Sequence, residues 1–183
     1  MRTDAELLLQ ALGGREEAFG ELYRRRQSGV YRFALHMTGS VGVAEDVTQE
    51  SFLILLTRGE KYDELRGSLA AFLCGIARNL VMRRLERELW AEPSDEMEHL
   101  ADGSDMIEDL ERRESVERVR RAVLSLPSVY REVVALCDLQ ESSYEEAAQA
   151  LDCPVGTVRS RLNRARGMLA RKLRVENPVR CIT

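Results

Sequence analysis

Arg159, Ser160, Asn163 and Arg164 are the residues best equipped for chemistry, and that chemistry is recognition rather than bond-making. A guanidinium can grip guanine O6 and N7 with two hydrogen bonds, an Asn amide can pair with adenine, and a Ser hydroxyl can reach base edges or phosphate. At 100° per residue these positions cluster on one side of a helix. Val155, Val158, Leu162, Ala165, Leu169 and Leu173 form the buried stripe on the other side. From Gly156 to Arg174 the chain has seven basic residues, among them Arg161 and Arg166, and no acid. A solvated amphipathic helix packed on a neighbour would show the same basic face. The elements around it have to separate the two cases.

Those elements favour nucleic acid. Ser143 and Glu146 fit an S-x-x-E capping box, which starts a helix at Tyr144. Tyr144, Ala147, Ala148 and Leu151 then share one face. Asp152-Cys153 breaks the pattern, and Pro154 suits the first position of a second helix, where its missing N–H costs nothing. A short scaffold helix, a tight turn and a long basic helix make a helix-turn-helix, whose second helix can enter a major groove.

The rest of the chain reads as helical too. With 183 residues, 44% hydrophobic, 5% aromatic and 32% charged, it suits one or two packed all-α domains. The net charge of −4 runs against DNA binding, but its distribution removes the objection. Residues 91–114 carry ten acids against two arginines, whereas residues 115–183 carry twelve basic side chains against eight acidic. Apolar runs are short, Phe52–Leu56 and Leu69–Cys74 among them, so neither a signal peptide nor a membrane span is expected. Cys74, Cys137, Cys153 and Cys181 lack C-x-x-C spacing and read as reduced thiols, mostly core filler. His36 and His99 have no partners at ligand spacing, so no metal is expected.

Four helical patterns precede the acidic stretch. Asp4 would cap the first, with Ala5, Leu8, Leu9 and Leu12 inward and Gly13-Gly14 as its stop. Phe19, Leu22, Tyr23, Val30, Phe33, Ala34 and Met37 mark the second, which Gly29 would weaken or bend. The third covers about Val43 to Leu56. The fourth starts near Ser68, with Leu69, Phe72, Leu73, Ile76, Ala77 and Leu80 on one face. From about Ser115, Val116, Val119, Val123 and Leu126 predict a helix stopped at Pro127, and Tyr130, Val133, Val134 and Cys137 predict another. The expected architecture is an N-terminal four-helix domain (1–90), a flexible acidic linker (91–114), a C-terminal four-helix domain with the helix-turn-helix (115–175) and a short tail (176–183).

Three N-terminal strings, EEAFGELYRRRQSGVYRFALHMTG, AEDVTQESFLILL and RGSLAAFLCGIARNLVMRRL, stand ahead of LPSVYREVVALCDLQESSYEEAAQALDCPVGTVRSRLNRAR. In this order they resemble regions two and four of the extracytoplasmic-function (ECF) sigma factors, sigma-70-type initiation subunits of bacterial RNA polymerase. The resemblance implies that Arg159, Ser160, Asn163 and Arg164 read the distal (−35) promoter element, with Thr157, Arg161 and Arg166 beside them. It implies that Asp46, Gln49, Glu50 and Phe52 contact a coiled coil on the largest polymerase subunit. Asp46, Gln49 and Glu50 do fall together at i, i+3 and i+4, although an ordinary solvated face with Phe52 in the core would look alike.

The proximal (−10) element would be opened and held around the loop 61–68. Asn79 matches a position that lines the family's pocket for a flipped base. Tyr62 or Phe72 could stack, Arg66 lies in the loop, and Arg78, Arg83 and Arg84 are placed for phosphates. Asn79 as a surface amide and Phe72 as core are the plain alternatives. Family members often have Trp at the positions of Phe72 and Leu56, an aromatic at Leu69 and Arg at Ala70, so specificity for the proximal element does not carry over. The resemblance implies core polymerase (coiled coil and flap region), promoter DNA and an anti-sigma factor as partners. It implies a cytoplasmic, non-enzymatic role with no cofactor and no small-molecule substrate. A stand-alone helix-turn-helix regulator and a sigma mimic that titrates an anti-sigma factor are the competing expectations.

Overall fold

The computed structural model describes residues 2–90 and 107–175. They form eight α-helices and one 3-10 turn, in two sets of four helices. Helix α1 (Asp4–Leu12) packs on α2 (Glu16–Thr38), and α2 packs on α3 (Val41–Arg58) and α4 (Leu69–Trp90). The 3-10 turn Gly59–Lys61 follows α3. The second set is α5 (Ile107–Leu124), α6 (Ser128–Cys137), α7 (Tyr144–Leu151) and α8 (Val155–Val175).

Caps and stripes explain most of the boundaries. Ser40 accepts from the Val43 N–H at 3.3 Å and starts α3. Ser68 does the same for Ala71 at 3.2 Å, where α4 begins. Gly39, at φ 74°, closes α2 by donating its N–H to the Leu35 carbonyl at 2.8 Å. Helix α2 runs unbroken through Gly29, because both of its ends are anchored by packing against α1, α3 and α4. Phe52 is 2% exposed and packs against Tyr23 (4.7 Å between centroids, rings tilted) and edge-to-face against Phe19 (6.2 Å), within the first core.

Two helix faces differ from expectation. In α1 the cap is Thr3, with a full capping box to Glu6, and the buried residues are Leu7, Leu8 and Ala11. Leu9 is 74% exposed. Asp4 is occupied instead by ion pairs to Arg25 (3.3 Å) and Arg26 of α2, which turns Leu7 rather than Leu9 toward the core. In α5 the helix begins at Ile107, so residues 107–114 are helical rather than linker, and Val116 and Val119 face outward while Ala122, Val123 and Leu126 are buried. The expected linker core (91–106) and the tail (176–183) lie outside the described residues.

The two sets meet along a seam. Helix α4 packs on α7, and α2 packs on α5 and α6. Gly75 lets the approach be close: a Cβ there would stand 3.2 Å from the Ala150 carbonyl oxygen. Arg131 of α6 donates to the Met37 carbonyl at the end of α2 and to the Leu124 and Leu126 carbonyls at the end of α5. One cation thereby serves two helix C-termini, where unpaired carbonyls and the helix dipole both favour positive charge.

Candidate nucleic-acid interface

The helix-turn-helix forms as its residues dictate. Ser143 and Glu146 make the capping box reciprocally, at 3.1 and 3.0 Å. Asp152 takes a left-handed conformation (φ 48°), and the Cys153 N–H returns to the Ala148 carbonyl at 3.0 Å, which turns the chain into α8. The Pro154 carbonyl accepts from Thr157 at 2.8 Å, so helical bonding starts at the proline and the helix at Val155. Val158, Leu162 and Ala165 are buried, and Arg159, Ser160, Asn163 and Arg164 are exposed on the far side.

The side chains of that row are not equally free. The Arg159 guanidinium lies 5.6 Å over the Tyr144 ring, a cation–π contact that pre-orients it. Ser160 donates to the Thr157 carbonyl at 3.0 Å, folding its hydroxyl back on the helix. Arg166 donates two bonds to Asp138, at 3.1 and 2.6 Å, and this bidentate clamp raises its pKa further. Arg161 turns inward to Glu132 at 3.1 Å. Asn163 and Arg164 point to solvent beside Arg159. The row thus separates into side chains exposed on the outer face (Arg159, Asn163, Arg164) and side chains ion-paired within the fold (Arg161, Arg166).

The proximal candidates fall on α4 and the loop ahead of it. Tyr62 donates its hydroxyl to the Gly67 carbonyl at 3.1 Å and its ring meets Phe72 at 5.6 Å, so the aromatic pair braces the loop base. Burial, the largest cause, raises the Tyr62 pKa, with Glu64 adding to it. Leu65 at the loop tip is 97% exposed, held by Asp63, whose carboxylate accepts the Leu65 N–H at 3.0 Å. Arg66 is exposed near it, as are Asn79 and Arg83 along α4. Leu69 is buried and forms part of the core.

Two arginines are not where a phosphate contact needs them. Arg78 donates to buried Glu132 at 2.7 Å. Arg84 reaches both Asp46 and Glu50 at 3.3 Å. The sequence places Arg84 for a phosphate contact but does not record that α3 packs on α4 beside it. Asp46, Gln49 and Glu50 do share one accessible face of α3, but Phe52 lies in the core beneath it. Leu53, 63% exposed, takes the place on that face expected of Phe52. The signal was present in the sequence, since Leu53 is i+7 from Asp46 and i+3 from Glu50.

The described residues form an all-helical fold, with a basic helix-turn-helix on one helix set and an acidic face with one exposed leucine on the other, the build of a helix-turn-helix DNA-binding protein. Residues 22–91 match the model of sigma-70 region 2, and residues 116–169 match that of sigma-70 region 4. The chain is 33% identical over 167 residues to the ECF sigma factor SigC of Mycobacterium tuberculosis, covering 89% of this chain and 87% of that protein. It is 29% identical over 179 residues to SigW of Bacillus subtilis, covering 90% of this chain and 94% of that one. Among solved structures, CnrH in complex with the cytosolic domain of CnrY superposes with a TM-score of 0.72 at 26% identity, covering 94% of this chain and 97% of CnrH. The sigma factor RpoE of Bartonella quintana, solved with the anti-sigma factor NepR, shares the fold at a TM-score of 0.67 and 24% identity, covering 86% of this chain and 97% of that one. The chain belongs to the ECF sigma factors, and its function is promoter-specific initiation of transcription by RNA polymerase. Sigma factors are generally non-enzymatic, and the family binds core polymerase and promoter DNA. Among the described residues no helix is long and apolar enough to cross a membrane.

Proposed function

We propose that Arg159, Asn163 and Arg164 read the −35 element in the major groove, with Ser160 and Thr157 at the rim of the contact. The observation that carries this is the exposed Arg/Asn row on α8, set over a buried stripe and steadied by Tyr144. Asn79, Arg83 and the loop 61–68 then meet the −10 element as single strands form, and the exposed Leu65 tip is the part of the loop able to enter unstacked bases. The face made by Asp46, Gln49, Glu50 and Leu53 meets the largest-subunit coiled coil, and the C-terminal set meets the flap region. Residues 1–90 and 107–175 act as the two grips and the residues between them as the tether, so that the second contact becomes effectively intramolecular. The protein acts in the cytoplasm by binding, not as an enzyme, and an anti-sigma factor restrains it, as one is bound to RpoE of Bartonella quintana.

The two promoter elements are about 25 base pairs apart, roughly 85 Å at 3.4 Å per pair. A compact chain of this length is roughly 40 Å across. Reading both elements at once therefore requires the seam between the helix sets to open. The test is in vitro transcription with core polymerase, with and without the protein, on a fragment library from its own genome. New start sites sharing two spaced elements are expected. Folded protein that yields none, yet binds duplex DNA by itself, would mean a stand-alone regulator. One that binds only an anti-sigma factor would mean a mimic.

A further inference from the structure

Glu132 is 0% exposed, and it lies at the seam. It accepts from Arg161 of α8 at 3.1 Å and from Arg78 of α4 at 2.7 Å. The two arginines are not equivalent. Arg161 belongs to the same helix set as Glu132, so that pair is made whether the sets are together or apart. Arg78 comes from the other set and reaches Glu132 only when the seam is closed. A carboxylate held out of water needs charge-assisted partners, and a second guanidinium strengthens what the first supplies.

The rest of the seam suits an interface that opens. Its other polar ties are to backbone: Arg120 donates to the Gly39 carbonyl at 2.7 Å, Gln140 to the Gly29 carbonyl at 3.2 Å, and Arg131 to the Met37 carbonyl. Its α4–α7 approach is built on small residues, Gly75 against Ala150. A cavity of about 260 Å³ remains between α2, α4 and the α6–α7 connection, lined in part by Arg25, Arg32, Cys74 and Glu146. Polar, small-residued and incompletely filled, it has the character of a separable contact between domains.

We propose that Arg78 is a two-position latch: bound to Glu132 it holds the helix sets closed, and released from Glu132 it becomes a phosphate contact for promoter DNA. The closed position rests on the observed geometry alone. The released position rests on the DNA face of α4 proposed above. Closure therefore removes a cation from the DNA surface while it keeps the two grips too close to span a promoter. Polymerase and DNA have to compete with Glu132 for the open form.

Two variants of the full chain separate these claims. Arg78→Gln cuts only the bond across the seam and leaves the Glu132–Arg161 pair intact, so the C-terminal set keeps its own anchor. Glu132→Gln frees Arg78 and Arg161 together, with both charges unchanged, and adding Arg78→Gln to it removes Arg78 alone. Small-angle scattering should give the unmodified protein a radius of gyration of roughly 16 Å, the compact value, with both variants about a quarter larger. Binding to an arbitrary 30-base-pair duplex should then show a salt slope steeper by about one for Glu132→Gln than for the double variant that also carries Arg78→Gln. A compact Arg78→Gln, with the same radius as the parent, would overturn the latch even if Glu132→Gln failed to fold. An expanded Arg78→Gln, with equal salt slopes for Glu132→Gln and the double variant, would uphold the latch and remove Arg78 from the DNA face.

Discussion

Among the arginines of α8 the structure makes a distinction that composition alone conceals. Arg164 is exposed on the outer row, whereas Arg166 commits its Nε–Nη2 edge to Asp138 and Arg161 is turned to Glu132. Arg164→Ala should therefore weaken the −35 contact by about 1–3 kcal/mol and relax the base preference at one position, as a lost bidentate base contact does. Arg166→Ala should leave the base preference unchanged. Footprinting or a randomised −35 library distinguishes the two, and a shift in preference by Arg166→Ala would put that residue on the reading face. Tyr144 acts one step further back. Its ring under Arg159 contributes about 0.5–1 kcal/mol, as exposed cation–π contacts do. Tyr144→Ala should lose roughly two- to fivefold in −35 affinity while Tyr144→Phe, which keeps the ring, should not. Equal losses in both would make the hydroxyl, not the ring, the important group.

The elements that carry these residues were legible to different degrees. The α7–α8 unit was nearly complete in the sequence, because its signals are local: a reciprocal capping box, a proline at a helix start and an apolar stripe. Ser143→Ala should cost about 1 kcal/mol, or roughly 2–4 °C in melting temperature for a chain of this size, and thermal unfolding of the full protein measures it. Helices α1 and α5 were misread in face because a neighbour decided it. Asp4 is claimed by Arg25 and Arg26 of α2, and Leu124 of α5 lies against Gly39, where a Cβ would come within 2.8 Å of a Leu124 methyl. No periodicity within α1 or α5 records those partners. Helix α3 shows both cases: its acidic face was visible at i, i+3 and i+4, but the placement of Arg84 across Asp46 and Glu50 was not. Asp46→Arg removes one exposed ion pair, worth at most about 1 kcal/mol to the fold. It should lower core polymerase affinity at least tenfold, about 1.4 kcal/mol, with the melting transition nearly unchanged. Normal core binding would place the polymerase contact elsewhere on the first helix set.

At the scale of the whole molecule the seam is the feature that no single element predicts, and Cys74 offers a direct report of it. This residue lines the cavity between the helix sets, and burial, the main cause, pushes its thiol from 9.0 up to about 11, with Glu146 of α7 adding to the shift. The thiolate is the reactive form, so a shift of this size makes it about a hundredfold scarcer near pH 8. The sign of the linkage follows: closure retains the proton, is fully favoured below the ordinary thiol pKa, and weakens as pH rises from there toward 11. Alkylation with iodoacetamide at pH 8, followed residue by residue by mass spectrometry, should find Cys74 slow in the unmodified protein. Cys137 has a thiol also pushed to about 11, but by burial and Asp138 within the C-terminal set, and it serves as the internal standard. Gly75→Leu adds a side chain where even a Cβ would sit 3.2 Å from the Ala150 carbonyl, and it does so with a residue that favours α4 as a helix. The wedge should open the seam, return the Cys74 thiol toward its ordinary pKa and speed its alkylation by tens of fold, with Cys137 unchanged. If Cys74 stays as slow as Cys137 in the folded Gly75→Leu protein, the first helix set shields it unaided and the seam does not open there. If it is already fast in the parent, the closed arrangement is a minor state in solution.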